Sequence, residues 1–345
     1  MRIYINPQQA LHAPAEEFFR GQRVPCFENP SRARFVEDAL RAAGHVLHAP
    51  DADSAPLLPQ VHAPRYLDFL RSAWGQWLAL DAANAGVQPF PSVWPVRTLR
   101  SDVEPDNFIA RLGLYSMDNG SPLSAGTWAA AKAGADAALS SARALQAGER
   151  AVLCATRPPG HHAGPDFMGG YCFINNAAVC AQALRAGGAQ RVAVLDVDYH
   201  HGNGTQAIFY DRADVLFASI HGDPRTEYPF YLGHADETGA GAGQGFNLNL
   251  PLAAGSSVAA WFGALATACQ RIARHRPDAL VVSLGLDTFA GDPISTFQLQ
   301  AEDFVLLGQR LQALGLPTAF ILEGGYAAAE LGHNAASVLR GFEGG

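Results

Sequence analysis

Four apolar runs in this chain break off in the same way, each ending at a cluster of acids, histidines or glycines. The clearest is Val192-Ala193-Val194-Leu195, which runs into Asp196, Asp198, His200 and His201 and then Gly202 and Gly204. A continuous run of this length reads as a parallel strand buried on both faces. Polar groups at the carboxyl end of such a strand lie where open α/β sheets place their ligands. The two-residue period of a strand points Asp198 and His200 the same way. A carboxylate and an imidazole converging there suit a divalent metal once a third ligand arrives from elsewhere.

The other three runs bring polar groups to the same sheet edge. Ala279 to Leu284 ends in Gly285-Leu286-Asp287, which supplies the third ligand. One nitrogen and two carboxylates leave room for water and a substrate oxygen, as in catalytic rather than structural zinc sites. Ala151 to Ala155 leads into Arg157-Pro158-Pro159-Gly160-His161-His162, two imidazoles on a stiff loop. Thr318 to Leu322 is followed by Glu323-Gly324-Gly325-Tyr326, a flexible turn able to swing a phenol over the site.

Between these runs, strands and helices alternate. Strands are expected at 3–5, 45–47, 214–220 and 247–250. Helices are expected from Ser31, as N-cap, to Ala43, and from about 62 to Leu80. Ser124, again as N-cap, opens one to Ala147, and others cover 175–186, 204–209, 258–275, 300–314 and 327–339. This alternation predicts a single α/β domain over 1–345, with a mainly parallel sheet of about eight strands and helices on both faces. The stretch 81–124 is the irregular part. It is proline-rich, yet it carries Phe90, Trp94, Phe108 and Tyr115, so it reads as a lid or subunit contact rather than a disordered loop. His12, His45, His48 and His62 have no ligand-like neighbours in sequence and read as structural or surface residues.

Nearly half the residues are apolar and 16% are charged, enough for a substantial core, and the net charge is −8 with no basic run. Nucleic acid is therefore not the expected partner. No apolar stretch approaches the ~20 residues of a membrane span. Five scattered cysteines without a Cys-x-x-Cys fit reduced thiols in the cytoplasm.

The motifs RPPGHHAG (157–164), GGYCFINN (169–176), DVDYHHGNGTQ (196–206), SIHGDP (219–224), GLDTFAGDP (285–293) and LEGGY (322–326) together resemble the arginase/deacetylase superfamily. Within it they resemble the histone-deacetylase-like enzymes, and YPFYLGHADETGAGAGQGFNLNLPL (228–252) resembles the bacterial acetylpolyamine amidohydrolases. The resemblance implies that Asp198, His200 and Asp287 bind Zn²⁺, with Fe²⁺ or Co²⁺ as alternatives suited to the same donors. His162 would be general base and then general acid, and His161 an electrostatic partner oriented by Asp196. Tyr326 would stabilise the oxyanion. Tyr171 and Tyr228, with Gly170 and Gly325, would line a narrow tunnel. Asp196 and Ser219, with backbone oxygens of Asp198, His200 and Ile220, match a structural K⁺ site.

Three departures from the family pattern stand out. Asn203 takes the place of an Asp behind His162. Tyr171 and Tyr228 replace Phe. Asn119-Gly120 stands where an acid often meets the substrate's distal cation, leaving Asp118, Glu104 or Asp106 as substitutes. The expected function is removal of acetyl groups from small cationic amines by a homodimer, since 81–124 packs across a dimer in acetylpolyamine relatives. A broader acetyl-lysine or acyl-protein deacetylase is the alternative. A two-metal guanidino-hydrolase and a non-catalytic sensor fit the single ligand triad and the His162–Tyr326 combination less well.

Overall fold

The computed structural model describes residues 1–96 and 98–344; Arg97, inside the 81–124 stretch, and Gly345, the last residue of the expected domain, lie outside the described residues. In chain order the elements are β1 (Arg2–Ile5), β2 (Glu16–Phe19), β3 (Gln22–Pro25), α1 (Ser31–Ala42), β4 (Leu47–His48), α2 (Pro64–Leu80), α3 (Phe108–Leu114) and α4 (Thr127–Gln146). They continue as β5 (Ala151–Ala155), α5 (Asn176–Ala186), β6 (Val192–Asp196), α6 (Asn203–Phe209), β7 (Val215–Gly222), β8 (Asn247–Leu252) and α7 (Val258–His275). The last are β9 (Ala279–Leu284), α8 (Ala301–Gln312), β10 (Thr318–Leu322) and α9 (Ala328–Glu343).

Eight strands form one sheet in the order β4-β1-β5-β10-β9-β6-β7-β8, and each neighbouring pair is parallel. The four runs that end in polar clusters, β5, β10, β9 and β6, are adjacent at its centre. Sequence order does not reveal this adjacency, and it brings four loops to one crevice. All four strands are buried along their whole length. Their side chains alternate between two cores. Val152, Val194, Val281 and Ile321 face α2, α4 and α5, while Leu153, Leu195, Val282 and Phe320 face α1, α7, α8 and α9.

Several boundaries differ from the sequence reading. Ser31 is the first helical residue of α1, and Pro30 occupies the cap without a side-chain bond. α4 starts at Thr127, not Ser124, because Thr127 Oγ1 accepts the Ser124 N–H and Gly126 is the cap residue. β4 pairs through Leu47 and His48 rather than 45–47. The small hairpin β2–β3 turns at Arg20 and Gly21, both at positive φ, and carries no strong strand pattern in sequence. α3 is a helix inside the stretch read as irregular, capped by the Asn107 side chain. The five cysteines are free. Among the described residues no helix is long and apolar enough to cross a membrane.

Candidate active site

Asp198, His200 and Asp287 bring one ligand atom each to within 4.8 Å of one another. Asp198 and His200 lie just beyond the end of β6, in a turn where the Asp198 N–H donates to Asp196 and the His200 N–H to Asp198. Asp287 follows β9, and its Oδ1 accepts the Tyr199 N–H at 2.8 Å. Asp198 Oδ2 accepts the Gly324 N–H at 2.9 Å, and His200 Nδ1 lies 3.0 Å from Asp287 Oδ2. Backbone donors thus fix both carboxylates. A Cβ at Gly285 or Gly324 would overlap Asp198, so glycines on two strand tips are required for the acids to sit this deep.

The donor set fits a divalent cation. Burial pushes Asp287 up to about 8, reinforced by the charge of Asp198. Burial acts the same way on Asp198, but His161 and His200 outweigh it and hold its carboxyl well below the usual range. Two buried carboxylates sharing one pocket are mutually unfavourable until a cation lies between them. Asp198, His200 and Asp287 could hold such an ion, as the strand-end spacing implied.

The tandem histidines lie against this cluster. Their ring centres are 4.0 Å apart, and His162 is 6.2 Å from His200. His161 Nδ1 is 3.0 Å from Asp196 Oδ2; burial opposes its protonation, but Asp198 and Asp196 lift its pKa to about 10. His162 behaves oppositely. Burial, then the neighbouring His161 and His200, hold it well below the ordinary value. Asn203 donates from Nδ2 to Met117 Sδ, so its Oδ1 faces His162 Nδ1 at 2.7 Å. That makes Nδ1 the protonated nitrogen of neutral His162 and leaves Nε2 as the basic one.

Tyr326 lies on the β10 turn, where burial pushes its phenol well above the ordinary value; Arg32 opposes this, and Tyr171, Asp198 and Asp287 add to it. Sequence suggested a mobile turn, but the structure fastens it. Arg32 Nε donates to Gly325 O and Arg32 Nη2 to Glu323 O, while the Tyr326 N–H donates to Asp292. Arg32 also stacks over the Tyr326 ring at 4.8 Å. Glu28 joins Arg32 to Arg157 at 2.9 and 2.7 Å, linking this turn to the start of the histidine loop. Glu323 itself is buried, and burial pushes it up to about 7.

Tyr171 and Tyr228 flank the crevice. Tyr228 meets His162 edge-on at 5.0 Å, and Tyr171 is 5.5 Å from Tyr326. Each phenol donates to a carboxylate, Tyr171 to Glu17 at 2.8 Å and Tyr228 to Asp118 at 2.5 Å. The polar walls expected from these tyrosines therefore have acids behind them. Gly170, at positive φ, lies where a Cβ would strike the His162 ring, and Asp118 also accepts its N–H. A Cβ on Gly325 would instead meet Leu331 and Leu286, on the core side of the turn.

Of the other acids named from sequence, Glu104 accepts from Tyr115 and pairs with Arg111, and Asp106 is exposed just before α3. Asp196 and Ser219 are register partners. His221 directs Nε2–H to Gly233 O, so its Nδ1 accepts from Ser219 and the Ser219 lone pairs stay free. His62 pins the Gly164 carbonyl and the Asn175 N–H, a structural role. Sequence reasoning missed Glu17, Glu28, Arg32, Met117 and Asp292. Asp292 and Glu323 stood inside quoted motifs; the others carried no local signal.

A parallel sheet with an acid–imidazole pocket at its central strand tips defines the class. Residues 26–342 match the histone deacetylase domain, and the chain belongs to that family. It is 53% identical to acetylpolyamine amidohydrolase 2 of Pseudomonas aeruginosa over 345 residues, covering 100% of this chain and 99% of the relative. It is 43% identical to the acetylpolyamine amidohydrolase of Mycoplana ramosa, covering 100% of each chain. The crystal structure of acetylpolyamine aminohydrolase from Burkholderia pseudomallei superposes with a TM-score of 0.94 at 41% identity, over 99% of this chain and 98% of that one.

Proposed function

We propose that this chain is a cytoplasmic, metal-dependent amidohydrolase that removes acetyl groups from acetylated polyamines or diamines such as acetylputrescine or acetylcadaverine. The observation that carries the reading is the placement of His162, its Nδ1 committed to Asn203 and its ring against the Asp198–His200–Asp287 cluster. Full-length likeness to proteins named acetylpolyamine amidohydrolases supports the substrate class.

Asp198, His200 and Asp287 would hold Zn²⁺, and Fe²⁺ or Co²⁺ suit the same donors. A bound divalent ion supplies Lewis acidity and brings the pKa of a water from 15.7 to about 7. His162 Nε2 takes the proton of the attacking water and returns it to the departing amine nitrogen. His161 is its electrostatic partner, oriented by Asp196. Tyr326 donates to the carbonyl oxygen as charge develops there. Tyr171 and Tyr228 confine the methylene chain. Of the three acids considered for the distal ammonium, Asp118 is favoured, because it is bonded to a wall residue while the Glu104 carboxylate serves Tyr115 and Arg111.

Asp196 and Ser219, with the backbone oxygens of Asp198, His200 and Ile220, would hold a structural K⁺. The 81–124 stretch would form a homodimer contact that narrows the entrance. Val87, Val93, Val96, Leu99 and Val103 support it, being apolar side chains left about half exposed among the described residues.

A metal-loaded kinetic panel of acetylated diamines, acetylated polyamines and an acetyl-lysine peptide tests the reading. Acetylputrescine or acetylcadaverine should have the highest kcat/KM. Preference for the peptide would favour the broader deacetylase instead.

A further inference from the structure

Glu323 follows β10 and is fully buried, a position acids seldom occupy without partners. Its Oε2 accepts the Gly160 N–H at 2.6 Å and the His161 N–H at 3.2 Å, and its Oε1 accepts the Ser283 hydroxyl at 3.2 Å. Ser283 is on β9, Gly160 and His161 are on the loop after β5, and Tyr326 lies three residues beyond Glu323. One carboxylate therefore joins three strand tips.

Other bonds hold the histidine loop by its side chains, Arg157 to Glu28, His161 to Asp196 and His162 to Asn203, and by its carbonyls. Asn6 donates to Arg157 O, the Thr205 N–H to His161 O, and Asn175 to Ala163 O. The two N–H groups that set the peptide planes on either side of Gly160 go to Glu323. Gly160 has no room to shift, because a Cβ there would overlap the backbone of Ile174 and Asn176.

We propose that Glu323 is a positioning residue for the reaction: its carboxylate holds the His161–His162 loop at one fixed separation from the Tyr326 turn. This inference rests on the roles given to His162 and Tyr326 above. Reach matters more than charge here. Glutamine keeps an acceptor oxygen for both N–H groups and turns its NH₂ toward Ser283 Oγ. Aspartate keeps the charge but is one methylene too short.

The test compares Glu323→Asp and Glu323→Gln with the wild type, all loaded with Zn²⁺ to matched content. It measures acetylputrescine kinetics and amide hydrogen exchange over residues 157–164. For Glu323→Asp, kcat should fall about 10²-fold, the cost of a misplaced catalytic group. Its KM should stay within about threefold of wild type, and the Gly160 and His161 amides should exchange faster. Glu323→Gln should keep near-normal kcat and protection. Wild-type kcat in Glu323→Asp overturns the proposal. So does a Glu323→Gln variant with loop protection intact but kcat down about tenfold or more, since charge would then be what matters. The glutamine arm can still overturn the proposal even if the aspartate variant does not fold. A wild type inert on every acetylated amine would sink the functional reading, while the exchange comparison would still judge the grip of Glu323 on the loop.

Discussion

The floor of the crevice and its walls are built by different means. On the floor, Asp198, His200, Asp287, His161, His162 and Tyr326 come from the loops at the tips of four adjacent strands, each two to seven residues beyond the end of its strand. The walls are assembled from far apart. Tyr171 is held by Glu17, 154 positions away, and Tyr228 by Asp118, 110 positions away. The floor is placed by the sheet, whose register leaves little freedom, whereas each wall depends on a long-range side-chain bond. Floor changes should therefore damage the chemistry, and wall changes should alter substrate selection.

The largest effect is expected at the floor. Tyr326→Phe removes one oxyanion donor, typically worth roughly 2.7–4 kcal/mol, so kcat should fall about 10²–10³-fold with metal content unchanged. Near-normal turnover in that variant would remove Tyr326 from the floor.

The next effect is beneath it. Burial opposes ionisation of Glu28, but Arg157 and Arg32 hold its pKa at about 2, below the ordinary 4.5. A depressed carboxylate pKa gives stability that is present above the unfolded value and lost as pH falls through the folded one. The loss should run from about pH 4.5 down to about 2 and amount to roughly 3 kcal/mol. Urea midpoints across that window should fall more steeply for wild type than for Glu28→Gln, which should already be less stable at pH 7. Parallel slopes would show that the buried ion chain does not carry the acid sensitivity.

The smallest effect is at the walls. Tyr228→Phe deletes one hydrogen bond worth about 1 kcal/mol, so kcat/KM for acetylputrescine should fall about fivefold, mainly through KM. A kcat loss as large as that of Tyr326→Phe would erase the distinction between wall and floor.

This contrast also explains what could be read from the sequence. Strand runs such as 192–195 and 279–284 announce themselves by unbroken apolar character. The residues following them inherit a direction from the strand, so the convergence of Asp198, His200 and Asp287 and the nearness of the histidine pair were legible. The hairpin of Glu16–Pro25 was not, because its strands are short, half-exposed and charged. Glu17 reaches the crevice only through its bond to Tyr171. Nothing in the helical pattern around Arg32 marks it out, although the fold buries it against the Tyr326 turn. The glycines of LEGGY suggested mobility. The bonds that fix that turn come from Arg32 and Asp292, whose proximity is purely tertiary. Asp118 was legible as a nearby acid, but not as the partner of Tyr228.

The most direct measurement of the central claim is acetate release from acetylputrescine before and after chelation, with Zn²⁺ added back in titrated amounts. The account predicts that activity disappears on chelation, returns in full at one equivalent of Zn²⁺, and does not return in Asp287→Ala. Undiminished activity in the chelated protein, or full recovery in Asp287→Ala, would contradict it.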